Sequence, residues 1–142
     1  MVFVFDQGAV YDAPIDKIWK LNMAHGAVMA KIHPGAKNPT FEQLSDTVFQ
    51  VSYETDVGGR TAKVVVKFTF YPTLGFAAEH LEGPFEGTKF FNYYTPKGKQ
   101  TEVTVVGEFV SKAPMSDDKV KEGVLAMLEQ LFQEDKAYLA TM

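Results

Sequence analysis

Between Ser116 and Leu139 the chain carries an apolar stripe long enough to dictate what must surround it. Val120, Val124, Met127, Leu128, Leu131, Phe132, Tyr138 and Leu139 recur mostly at steps of three and four, the spacing that gathers side chains on one side of a helix. Ser116 is placed to cap its start, with Asp117 and Asp118 in the first turn, where carboxylates meet the positive end of the helix dipole. Pro114 breaks the chain upstream, and Met115 and Val120 are spaced for a hydrophobic staple. Gly123 costs such a helix about 1 kcal/mol relative to Ala, which packing can offset. A helix longer than roughly 24 Å with one greasy face needs a broad apolar surface to lie on. The preceding chain reads as strands, so that surface is expected to be a curved sheet.

The strand pattern begins at once. In residues 2–12, Phe3, Phe5, Gln7, Ala9 and Tyr11 alternate with Val2, Val4, Asp6, Gly8, Val10 and Asp12, which predicts a strand with the first set on one face. Pro14 fits the first turn of a helix with Ile15, Ile18, Trp19 and Met23 on its apolar side. A second short helix is expected over residues 24–32, ended by His33-Pro34-Gly35, and Asn38-Pro39 reads as a turn. The period then changes to two, with strands expected over 41–45, 47–55, 61–71, 76–82, 88–95 and 100–111. Phe49, Val51 and Tyr53 share one face, as do Ala62, Val64, Val66, Phe68 and Phe70. Gly58-Gly59 suits a tight hairpin, since both residues tolerate positive φ. Gly107, in mid-strand between inward Val103, Val105 and Phe109, predicts a bulge or bend. No repeat or linker divides the 142 residues, so one domain is expected.

Composition excludes several classes. The net charge is −4, and Arg60 is the only arginine among fourteen basic residues, which argues against a nucleic-acid partner. With no cysteine, disulfides and thiolate chemistry are out. No apolar run approaches the roughly 20 residues of a membrane span, and MVFVFDQGAV lacks the pattern of a signal peptide; a cytoplasmic location is expected. Twelve Phe, six Tyr and one Trp are an unusual supply of rings, enough to fill a large core or to line a cavity.

Two stretches carry a resemblance. Asp12-Ala13-Pro14-Ile15-Asp16-Lys17-Ile18-Trp19 is similar to the A-P-x-x-x-V-W segment of the START / Bet v 1-like (SRPBCC) superfamily. Glu82-Gly83-Pro84-Phe85-Glu86-Gly87-Thr88 resembles the G-P-x-x-G turn of its polyketide cyclase/dehydrase-like and carbon monoxide dehydrogenase-related branches. The order of elements matches over almost the whole chain. The resemblance implies an α+β helix-grip fold: a curved seven-stranded antiparallel sheet wrapped around a long C-terminal helix, with two short helices after the first strand. It implies a hydrophobic cavity between sheet and helix. Members bind lipids, sterols, hormones or polyketides, and a minority catalyse cyclisation or hydrolysis; activity does not follow from the fold.

The candidate chemistry is sparse. His25 and His33 stand eight residues apart without an H-E-x-x-H or H-x-H pattern, so surface or capping roles and no metal site are expected. Ser45, Ser52, Ser111 and Ser116 lack a nucleophile-elbow setting, and no phosphate-cradling glycine motif occurs; no cofactor is expected. Glu79 and His80 are neighbours on a strand and must point to opposite faces. Either would serve an enzyme as acid or base. The leading expectation is binding of a small hydrophobic or amphipathic ligand, by rings and aliphatic side chains with a few polar anchors. The lining expected is Gln7, Tyr11, Met29, Tyr53, Phe68, Phe70, His80, Phe91, Tyr93, Val105, Phe109, Met127, Leu128 and Leu131. The segment around residues 14–33 and the Gly83–Gly87 loop would gate it. Catalysis of a cyclase, dehydratase or hydrolase type in the same cavity, or help in the assembly of a partner protein, are the alternatives.

Overall fold

The computed structural model describes all residues from 1 to 142. Strand β1 (Val2–Tyr11) leads into helix α1 (Ile15–Ile32). Six strands follow: β2 (Lys37–Gln43), β3 (Val48–Val57), β4 (Arg60–Tyr71), β5 (Gly75–Glu82), β6 (Lys89–Lys97) and β7 (Gln100–Phe109). Helix α2 (Asp117–Leu139) ends the chain. The strands form one seven-stranded sheet in the order β1-β7-β6-β5-β4-β3-β2, antiparallel throughout. Each strand from β2 to β7 pairs with its sequence neighbour, and β1 closes against β7. This is the α+β helix-grip architecture the sequence pattern implies.

The local reasons are visible in the backbone. Gly58 and Gly59 take φ of 57° and 78°, so β3 and β4 join through a two-residue turn of the kind whose twist suits a hairpin, with Val57 opposite Arg60. Ser116 Oγ accepts from the Lys119 backbone N–H at 3.3 Å, capping α2. Thr101 donates to the Ala13 carbonyl at 2.8 Å and ties the entrance of α1 to the sheet.

Three local expectations need correction. The two helices after β1 are one helical element, broken at Val28 (φ −132°, ψ 29°) rather than near residue 24. Asn38-Pro39 lies inside β2, where Asn38 has φ 51° and the register against β3 shifts; an edge strand tolerates a proline that donates no ladder bond. The bulge sits at Gly8 (φ 107°), where β1 shifts register against β7, and not at Gly107, whose pairing is continuous on both sides. Gly107 instead allows close approach: a Cβ there would collide with the Lys89 carbonyl and the Phe90 backbone.

The bulge reorganises β1. A one-residue insertion moves every later side chain to the other face, so Val4 is fully buried while Phe3 and Phe5 are exposed, and beyond Gly8 it is Tyr11 that is buried. Val4, Ile18, Leu21, Val105, Phe109 and Val124 form the heart of the core. Helix α2 packs on β1, β7 and α1 and makes no comparable approach to β3, β4 or β5. The concave faces of those strands therefore look across a gap.

Candidate functional site

That gap is a cavity of about 650 Å³, with 24 hydrophobic residues among the 39 that line it, inside the range of about 300–1,000 Å³ usual for small-molecule sites. Its floor is the strict alternation of β3 and β4: Phe49, Val51 and Tyr53, then Val64, Val66, Phe68 and Phe70. Rings pack edge-on there, with Phe49 and Phe70 centroids 5.3 Å apart and Phe68 and Phe76 5.5 Å apart, a favoured aromatic geometry. Met127, Leu128, Leu131 and Phe132 of α2 form the opposite wall, Met23 and Met29 of α1 one side, and Pro84 and Phe85 of the Gly83–Gly87 loop another.

Polar groups interrupt this lining at three places. Tyr94, buried on β6, donates its hydroxyl to Asn22 Oδ1 on α1 at 2.8 Å, while Asn22 Nδ2 is buried with no partner. His80 on β5 has a buried Nδ1 with no partner and lies near Phe85 and Phe90, both ring centroids at 6.4 Å. Burial pushes its pKa down to about 4, so the ring is neutral at pH 7. Burial likewise raises the Tyr53 and Tyr94 hydroxyls above the ordinary phenol value.

The third place joins the two helices. His25 Nε2 stands 3.1 Å from His33 Nε2 and 3.1 Å from Asp135 Oδ1, and His33 Nε2 is 3.2 Å from the same oxygen. The outer nitrogens are also engaged, His25 Nδ1 with the Leu21 carbonyl at 2.8 Å and His33 Nδ1 with Glu134 Oε1 at 3.0 Å. Tyr11 reaches Asp135 Oδ2 at 3.5 Å, its ring against Phe132. Burial would raise the Asp135 carboxyl, but hydrogen bonds and charge from His25 and His33 overturn this and hold it below the usual carboxylate value. Burial would lower His33, and Asp135 and Glu134 together reverse that into a net rise.

The predicted lining residues divide accordingly. Tyr11, Met29, Tyr53, Phe68, Phe70, His80, Val105, Met127, Leu128 and Leu131 all line the cavity. Gln7 does not: the Gly8 bulge leaves it on the outer face, where Nε2 donates to Glu102 at 3.1 Å. Phe91 and Tyr93 also face outward, exposed and stacked on each other at 5.7 Å, because Phe90, Asn92 and Tyr94 take the inner positions of β6. Phe109 is buried in the core with Phe90 stacked on it at 5.4 Å and is not part of the lining. Glu79 points away from the cavity and approaches Lys89 at 3.8 Å. His25 and His33 are neither surface nor capping residues, since both turn onto Asp135. Asn22, His25 and Asp135 had one sequence signal: each is a polar residue at a position of the apolar stripe, Ile18-Leu21-Asn22-His25-Met29 on α1 and Val124-Leu128-Leu131-Asp135-Leu139 on α2.

No family model matches the sequence, and comparison with curated proteins finds no match. Solved structures do match in shape. A START superfamily protein from Mycobacterium smegmatis superposes with a TM-score of 0.81 at 15% identity, over 98% of this chain and 97% of that one. The Zhui aromatase/cyclase from Streptomyces sp. R1128 gives 0.73 at 17% identity, over 96% and 90%. Ara h 8.0201 gives 0.74 at 16% identity, over 99% and 98%. At these identities the likeness is one of fold. Strand order, the long closing helix and these superpositions together give the chain the helix-grip fold of the START and Bet v 1-like (SRPBCC) proteins.

Proposed function

We propose that this protein binds a small, mainly apolar molecule carrying one or two polar groups in the cavity between the sheet and α2. The observation that carries the reading is the combination of an open cavity of about 650 Å³ with two buried polar atoms on its wall that lack partners, Asn22 Nδ2 and His80 Nδ1. Buried polar groups are normally satisfied, so a ligand that accepts from Asn22 and meets His80 relieves a standing cost while the rings cover its apolar body. Transfer of that body from water contributes about 25 cal/mol per Å². Methionines at 23, 29 and 127 let the walls adapt to its outline. No helix of the chain is long and apolar enough to cross a membrane, and the apolar stripe of α2 is spent on the core and the cavity.

The test is extraction of gently purified protein with mass spectrometry of what is released, followed by thermal-shift titration with lipid, sterol and polyketide-like compounds. A released or stabilising apolar compound, lost in Val105→Trp, supports the reading; none in wild type sinks it. The enzymatic alternative has one observation in its favour, a histidine inside the cavity. A ring whose conjugate acid titrates at about 4 is a weak base at neutral pH, which suits His80 better to holding a ligand oxygen or hydroxyl than to abstracting a proton.

A further inference from the structure

We infer that His25, His33 and Asp135 form a binding site for a divalent transition-metal ion, with zinc as the fitting example, on the wall of the cavity. The protons decide which atoms are free to bind it. The Leu21 carbonyl can only accept, so His25 Nδ1 must carry the hydrogen in their 2.8 Å contact; the Glu134 carboxylate imposes the same on His33 Nδ1 at 3.0 Å. In both neutral rings the bare lone pair is then on Nε2. Those two lone pairs face each other at 3.1 Å and face Asp135 Oδ1 at 3.1 and 3.2 Å. Three acceptors converging on one point repel unless something positive lies between them.

The dimensions suit an ion. Zinc bonds nitrogen and oxygen at about 2.0–2.1 Å, and tetrahedral geometry then separates neighbouring ligands by about 3.3 Å. The observed triangle has sides of 3.1, 3.1 and 3.2 Å, so a few tenths of an ångström of expansion seats the ion just out of its plane. The surroundings are those a metal site uses: each histidine's far nitrogen is anchored, one on a carbonyl and one on a carboxylate, fixing tautomer and ring orientation. Two imidazoles and a carboxylate leave coordination positions vacant. All three residues line the cavity, so a vacant position opens onto the space where an oxygen of a bound molecule, or water, would sit. The site joins α1 to α2 across a sequence separation of 110 residues and would pin the two helices over the cavity.

Metal binding here is independent of which molecule fills the cavity, and its test uses the full chain without one. Protein freed of metal by chelator is titrated with Zn²⁺ calorimetrically and with Co²⁺ by visible absorption. One equivalent per chain is expected, with nitrogen-ligand cobalt bands, and affinity at least tenfold weaker in His25→Gln and in Asp135→Asn. Glu134→Gln, which alters only the anchor of His33, is expected to weaken zinc about tenfold. Circular dichroism establishes that each variant is folded, and the wild-type titration stands without any variant. Folded wild type that takes up no zinc assigns the space between the imidazoles to a proton and overturns the proposal. Uptake that is equal in wild type, His25→Gln and Asp135→Asn places the ion elsewhere and overturns it as well.

Discussion

The Tyr94 hydroxyl donates to Asn22 Oδ1 at 2.8 Å, and the same amide leaves its Nδ2 without a protein partner on the cavity wall. One side chain is thus half committed to the fold and half available to a ligand. Tyr94→Phe removes the donor and strands the amide oxygen, which is expected to destabilise the protein by about 1–3 kcal/mol. Asn22→Leu in that background removes the stranded group and is expected to recover part of the loss. Urea denaturation of the two single variants and the double variant measures the coupling; strictly additive losses would show that the pair does not act as a unit.

His80 makes acid stability depend on the cavity wall. Its folded pKa of about 4 lies below the unfolded value of about 6.5. Between those values the unfolded chain binds more protons, so stability is full above about pH 6.5 and falls as pH drops toward 4. His80→Phe is expected to flatten that part of the profile. Melting temperature against pH for the two proteins gives the comparison, the difference cancelling most titration elsewhere. Parallel profiles would mean that His80 is solvated.

Gly107 tests the close approach of β6 and β7. Because a Cβ there meets the Lys89 carbonyl and the Phe90 backbone, Gly107→Ala is expected to cost about 1–3 kcal/mol and to shift the Phe90–Phe109 stack. Gly123→Ala provides the contrast. Nothing surrounds a Cβ at Gly123 in α2, and that change is expected to stabilise by up to about 1 kcal/mol. Equal effects of the two substitutions, read by denaturant midpoints, would contradict this packing.

How far the sequence could be read depended on how strictly each segment kept its period. In β3 and β4 apolar residues alternate without interruption through Phe49-Val51-Tyr53 and Val64-Val66-Phe68-Phe70, and their cavity face was legible. In β1 the alternation is equally clean, but Gly8 shifts the phase, so Gln7 and Tyr11 end on opposite faces; a glycine in a strand signals an irregularity without saying whether it is a bulge, as at Gly8, or a close contact, as at Gly107. In β6, Phe90, Phe91, Tyr93 and Tyr94 are apolar on both faces, and only tertiary packing decides that Phe90 and Tyr94 go inward. The His25–His33–Asp135 cluster was hidden for a different reason. Its partners come from two helices distant in sequence, and only the polar residues within the apolar stripes hint at it.

Val105 lies on the inner face of β7, within the cavity lining and opposite Asn92. Val105→Trp is expected to fill the space and to reduce binding of any cavity ligand at least tenfold while the far-ultraviolet spectrum stays that of wild type. Binding undiminished by a tryptophan that is folded in place would put the ligand somewhere else.

The most direct measurement is a crystal structure of protein purified without detergent or added ligand, with the extract of the same preparation analysed by mass spectrometry. Density is expected for an apolar molecule between β3–β5 and α2, with a polar atom within hydrogen-bonding distance of Asn22 Nδ2 or His80 Nδ1, or an empty cavity that fills on soaking with a compound that raises the melting temperature. A space closed by Phe49, Phe68, Phe70 and Phe132 packed against one another, with no compound retained or stabilising, would contradict ligand binding in this cavity.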